Sequence, residues 1–148
     1  MKKSSVSILA AGLLLTISAV AQTTSPVGLW KTIDDTSGKP SALIRITDSG
    51  GELSGKIEKL FRQPNEELNP KCIKCEGDNK DKPIVGLTML QGMKADGPDY
   101  SGGTILDPAN GKVYKSKMTL IDDGKKLNVR GYIGVPLLGR TQTWIREE

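Results

Sequence analysis

The sequence contains no histidine, two cysteines, and only two Trp, three Tyr and one Phe among 148 residues. Without histidine there is no Ser-His-Asp or Cys-His nucleophile system, no HExxH zinc site and no imidazole pH switch. Two cysteines cannot supply the four thiolates of an all-cysteine zinc site. So few aromatic rings argue against stacking platforms for single-stranded nucleic acid. Past the N-terminal segment the chain has no apolar run long enough to span a bilayer, no strong amphipathic helix pattern and no internal repeat.

The N-terminal segment has the layout of an export signal. Lys2 and Lys3 precede an apolar run from Val6 to Val20, and Ala19-Val20-Ala21 offers the small-x-small pattern that signal peptidase accepts. A transmembrane anchor is the competing reading. It needs roughly 20 uninterrupted apolar residues, and polar Gln22-Thr23-Thr24-Ser25 follows the run directly. The expectation is a cleaved signal peptide over 1–21, one domain over 22–148, no transmembrane span after cleavage, and a periplasmic or secreted location. No cysteine lies near the cut, so a lipoprotein anchor is not expected. Losing two lysines leaves 19 Lys plus Arg against 17 Asp plus Glu, so the net charge falls from +4 to +2. Such weak, mixed charge predicts no nucleic-acid partner.

The remaining chain reads as short strands over 28–33, 42–47, 53–60, 87–90, 100–106, 112–120, 126–133 and 138–146. Tyr114, Ser116, Met118 and Leu120 alternate with Lys115, Lys117 and Thr119, which is the period of an antiparallel sheet with one wet face. Asp48-Ser49-Gly50-Gly51, Asp107-Pro108-Ala109-Asn110-Gly111 and Asp122-Asp123-Gly124-Lys125 are turn chemistry. Short connections favour a meander, and closure removes its exposed edges. The fold expected is all-β: a small antiparallel up-and-down barrel of about eight strands with one long loop. A β-sandwich is the alternative. Asp107 is read as a turn acid, as are Asp34-Asp35 and Asp122-Asp123, since nothing fixes a separation for paired carboxylates. Lys115 and Lys117 share a solvated face that suits an anionic partner as a second reading.

The long loop runs over roughly 61–86 and contains Cys72-Ile73-Lys74-Cys75. Loops of this length are functional or disordered unless tied down. A local Cys72–Cys75 disulfide is the plainest reading, worth about 2 kcal/mol because the ring it closes is small. A redox pair would need a helix N-terminus in a βαβ setting, although Lys71 and Lys74 favour thiolate. Half of a metal site would need Glu76 or Asp78, or a second chain, to complete it.

Gly28-Leu29-Trp30 opens the first strand and Arg146 ends the last. In a closed barrel with an even strand count these ends meet. A guanidinium stacked on the indole would then form a structural plug at that end. This opening with a terminal Arg resembles the lipocalin and fatty-acid-binding superfamily. A wider set covers almost all of the exported part. It comprises Leu53-Ser54-Gly55-Lys56-Ile57, the CxxC, Gly86-Leu87, Gly103-Thr104-Ile105-Leu106-Asp107-Pro108, Gly111-Lys112-Val113-Tyr114, Leu127-Asn128-Val129-Arg130-Gly131-Tyr132-Ile133-Gly134 and Leu138-Gly139-Arg140-Thr141-Gln142-Thr143-Trp144. Together these are similar to an exported bacterial family catalogued as domain of unknown function 2147. The resemblance implies a lipocalin-like barrel. It brings no agreed activity and no catalytic residue.

The leading expectation is therefore non-enzymatic binding of a small apolar or amphipathic molecule. No metal or other cofactor is expected. Tyr100, Tyr114, Met118, Tyr132, Arg140 and Trp144 are candidate lining residues. Ile133, Val135, Leu137 and Leu138 form an apolar hairpin tip that reads either as a ligand portal or partner contact, or as a lid folded onto the barrel end. The alternatives are a cell-envelope protein–protein interaction module without a ligand cavity, and a CxxC redox protein.

Overall fold

The computed structural model describes residues 5, 7–17 and 25–148. The expected cleavage motif Ala19-Val20-Ala21, with Lys2 and Lys3, lies outside the described residues. Within 7–17 the apolar side chains are solvent-exposed, Leu9 at 93 %, and no helix or strand forms. No helix among the described residues is long and apolar enough to cross a membrane.

Eight strands follow: β1 (Gly28–Ile33), β2 (Pro40–Ser49), β3 (Glu52–Leu60), β4 (Thr88–Asp96), β5 (Asp99–Asp107), β6 (Lys112–Ile121), β7 (Lys126–Tyr132) and β8 (Gly139–Arg146). Each pairs antiparallel with the next, and β8 returns to β1, so the sheet is a closed up-and-down barrel rather than a sandwich. The β1–β8 seam is short. Trp30 faces Arg146 and Lys31 faces Ile145, and the seam is extended by the Glu147 N–H donating to the Leu29 carbonyl at 2.8 Å.

Alternation along the strands sends one set of side chains inward. Trp30 pairs with Ile44, Ile44 with Ile57, Gly103 with Ser116, Ser116 with Gly131, Met118 with Val129, and Leu127 with Trp144. Trp30, Ile46, Leu90, Met93, Ser116, Met118, Leu127 and Trp144 have no exposed surface, so no water-sized space borders them. This part of the barrel is filled by its own side chains, as small barrels allow.

The meander gives the barrel two unlike ends. One carries the chain before Gly28, the tight β2–β3, β4–β5 and β6–β7 turns, and the C-terminus. The other carries the β1–β2 loop, the long β3–β4 loop, the β5–β6 turn and the β7–β8 tip.

Candidate functional site at the loop end

The tight-turn end is a structural plug. The Arg146 guanidinium lies 4.3 Å from the centre of the Trp30 ring. Its Nε donates to the Gly124 carbonyl at 2.7 Å, one Nη to the Val27 carbonyl at 2.9 Å and the other to the Ser25 carbonyl at 2.6 Å. The Trp30 indole N–H donates to the Pro26 carbonyl at 2.7 Å. Burial alone lowers the Arg146 pKa from its ordinary value. Gly28 has φ +143°, and a Cβ there would sit 2.2 Å from the Glu148 carbonyl oxygen. Only glycine lets the C-terminal chain cross so closely.

At the loop end, the long loop is tied down. The Cys72 N–H donates to the Lys82 carbonyl at 2.8 Å and the Ile84 N–H to the Pro70 carbonyl at 2.9 Å, around an isolated Lys71–Pro83 bridge. The Lys80 ammonium donates to the Ile73 carbonyl. Cys72 and Cys75 are disulfide-bonded, and both belong to the same apolar cluster as the barrel core, at 0 % and 2 % exposure. The loop also rests on the β5–β6 turn. Gly111 has φ +72°, and a Cβ on it would sit 1.9 Å from the Lys74 carbonyl oxygen. The turn itself is organised by Asp107, which accepts from the Ala109 N–H at 2.9 Å, and by Asn110, which accepts from the Lys112 N–H at 2.8 Å.

Where the disulfide loop meets this turn lies a cleft of about 450 Å³. Leu106, Val113, Tyr114 and Ile133 give it an apolar wall, Cys75 a buried edge, and Lys74, Lys112 and Glu76 a charged rim. The Tyr114 hydroxyl accepts from the Asn110 amide at 3.1 Å, which fixes its ring against the turn. A second groove of about 540 Å³ runs along Lys39, Lys59, Phe61, Arg62 and Leu68. It is larger, but no residue lining it is buried, whereas Leu106 and Cys75 give the first cleft a buried floor. The cleft is therefore the better-formed concavity. Among the described residues no group of three or more His, Cys, Asp or Glu stands ready to hold a metal ion.

The residues anticipated as ligand-lining fall into four places. Met118 and Trp144 are sealed in the packed half, and Tyr100, opposite Met118, packs half-buried against the same core. Tyr132 pairs with Lys115 one position past the inward-facing Gly131–Ser116 pair, so it lies on the outer face. Tyr114 and Ile133 meet in the cleft. Val135, Leu137 and Leu138 project into solvent from the tip at 53 %, 85 % and 69 % exposure, and Arg140 at the tip's base forms a 3.1 Å ion pair with Asp35 across the loop end. The tip does not fold over the barrel mouth. It is held outward by Arg130, whose Nε donates to the Pro136 carbonyl at 2.6 Å and whose Nη donates to the Leu137 carbonyl at 3.3 Å.

Leu106 and Val113 were not anticipated as site residues. Their signal was present: Ile105-Leu106 and Val113-Tyr114 are adjacent apolar pairs in strands that otherwise alternate. At Leu106, 5 % exposed, the apolar pair marks a strand end covered on both faces, whereas Val113 stays 60 % exposed at the cleft.

The family model described as an uncharacterized protein conserved in bacteria (DUF2147) matches residues 28–146. A solved structure from Helicobacter pylori, protein HP1028, described as belonging to the lipocalin family, superposes with a TM-score of 0.70 at 16 % identity. The match covers 85 % of each chain, and at that identity the likeness is one of fold. No curated protein matches the chain.

Proposed function

Since the chain belongs to the bacterial family DUF2147 and has a lipocalin-like barrel, we propose that it is an exported, non-enzymatic binding protein for a small amphipathic molecule. Its site is the cleft between the disulfide loop and the β5–β6 turn, not the barrel interior. The observation that carries this reading is the pairing of an apolar wall (Leu106, Val113, Tyr114 and Ile133) with a rim of two lysines, Lys74 and Lys112, against one acid, Glu76. That arrangement favours an apolar body with an acidic head. The sealed packing around Trp30, Met118 and Trp144 leaves that half of the lumen no room for a ligand. Burial of both sulfurs supports a staple rather than a redox pair, because exchange requires an accessible sulfur.

Dodecanoate and dodecanol serve as matched probes. Dodecanoate is expected to shift the methyl NMR signals of Leu106 and Val113 and to bind more tightly than the alcohol. Lys74→Glu with Lys112→Glu is expected to weaken dodecanoate roughly tenfold, the scale of one lost charge contact. If neither probe moves those signals, the cleft is not the site.

A further inference from the structure

We propose that the loop end docks on a lipid surface, with the β7–β8 tip, residues 133–138, entering the boundary between headgroups and acyl chains. The inference stands on the tip and does not require the cleft to be occupied. Among described residues in 25–148, every large apolar side chain at least 60 % exposed lies at the loop end: Leu68, Ile73, Val113, Ile133, Leu137 and Leu138. At the opposite end, exposed Val27 reaches 40 % and Ile145 36 %. Of the loop-end group, Ile133, Leu137 and Leu138, with Val135 at 53 %, follow one another along a single hairpin tip, and such grouped exposed apolar side chains mark a binding surface.

Most of the tip's backbone is already paired, the Gly134 peptide groups and the Leu137 N–H excepted. The carbonyls of Ile133, Val135, Pro136, Leu137 and Leu138 all accept hydrogen bonds. The donors are the Val135, Leu138 and Ile133 N–H groups and the Arg130 guanidinium, which is itself anchored by a 2.8 Å bond to the Thr141 hydroxyl. Unpaired carbonyls would resist transfer into lipid, and these are already paired. A fixed loop also loses little freedom on docking.

Side-chain chemistry favours lipid over a protein partner. The tip consists of Ile133, Gly134, Val135, Pro136, Leu137 and Leu138. It has no Trp, Tyr or Arg, the residues that dominate protein–protein hot spots, and no side chain able to read a partner by hydrogen bonding. Lys74 and Lys112 share the cleft wall with Ile133, alongside the acid Glu76, and Arg140 pairs with Asp35 at the tip's base. Cations beside an inserting apolar loop complement anionic headgroups.

The test is co-sedimentation of the chain beginning at Gln22, which holds the whole closed barrel, with two kinds of vesicle. One is phosphatidylcholine alone; the other is phosphatidylcholine mixed with phosphatidylglycerol. Binding is expected to be tighter to the mixed vesicles. Leu137→Asp with Leu138→Asp is expected to weaken it roughly a hundredfold. The same variant should keep the native unfolding temperature and native dodecanoate binding, because neither leucine packs in the core or lines the cleft. Failure of the parent chain to bind either vesicle would overturn the proposal, as would equal binding by the variant. Crosslinking of the tip to a discrete protein without vesicle binding would assign this surface to a protein partner instead.

Discussion

Arg146 joins four parts of the chain with one side chain: the Trp30 ring, the segment before β1, the β6–β7 turn and β8 itself. The cation–π contact alone is worth about 0.5–1 kcal/mol. A hydrogen bond made by a charged group contributes about 1.5–3 kcal/mol net, and bonds that share one side chain do not add in full. Arg146→Ala should therefore destabilise the barrel by about 3 kcal/mol in a urea titration, and Arg146→Lys should recover only part, because a compact ammonium lacks the flat guanidinium that stacks on Trp30 while its spread nitrogens reach separate carbonyls. The meeting of Trp30 and Arg146 was legible in the sequence, since strand parity alone brings those ends together. The three carbonyls were not, because their positions depend on how the flanking chain folds back. Acid sensitivity belongs to this scale as well. Asp99 is held below its ordinary value of 3.8, first by the Thr119 hydroxyl donating to it and next by Lys117. A depressed carboxylate contributes stability that is complete above its unfolded pKa and is lost as pH falls through the folded value. Asp99→Asn should thus flatten the fall in unfolding temperature below about pH 4. An unchanged acid limb would show that Asp99 adds nothing to it.

Among the elements, β4 departs most from its sequence pattern. The alternation predicts a strand only over 87–90, yet β4 runs Thr88–Asp96. Leu90 and Met93 are both fully buried three positions apart, and the register to β3 shifts between them. A bulge at positive-φ Gly92 inserts the extra residue, and this breaks the period of two that makes a strand readable. Bulges also shift the register between Thr32 and Ile33, between Leu43 and Ile44 and between Tyr100 and Gly103, but those strands were legible to within a few residues. The long loop was legible as an exception but not as a docked element, because nothing local in Cys72-Ile73-Lys74-Cys75 announces contact with Gly111, 36 positions after Cys75. Gly111→Val tests that contact. The barrel should remain closed, stability should fall by roughly 1–3 kcal/mol as expected for overpacking, and amides over 70–84 should exchange faster. Protection unchanged across that loop would mean the contact does not hold it. The Cys72→Ala, Cys75→Ala double variant should show the same local loss of protection, with a cost of roughly 2 kcal/mol.

For the whole molecule, the polarity of the barrel links fold to function. The tight-turn end is sealed by Trp30 and Arg146, so the cleft, the charged rim and the exposed tip all gather at the other end. The meander forces this grouping, because every odd-to-even connection lands on the same rim. Residues scattered in sequence, Asp35, Lys74, Lys112, Ile133 and Arg140, therefore share one working face, and their grouping was readable only once barrel closure was assumed. Residues 7–17 take no part in this scheme. The described residues 7–17 are exposed and contribute nothing to the sheet, which closes within 28–146. An export signal has to remain unpacked to be recognised and cut, and a domain that depended on it would unfold on maturation. The chain beginning at Gln22 should accordingly give the same far-ultraviolet circular dichroism and unfold within about 2 °C of the full chain, a shift well under that of 1 kcal/mol. The protein recovered from the periplasm or medium of an exporting cell should have a mass that places its first residue at Gln22. A lower unfolding temperature for the truncated chain would mean that the leader packs on the barrel, and an intact Met1 in the exported fraction would remove the signal-peptide reading.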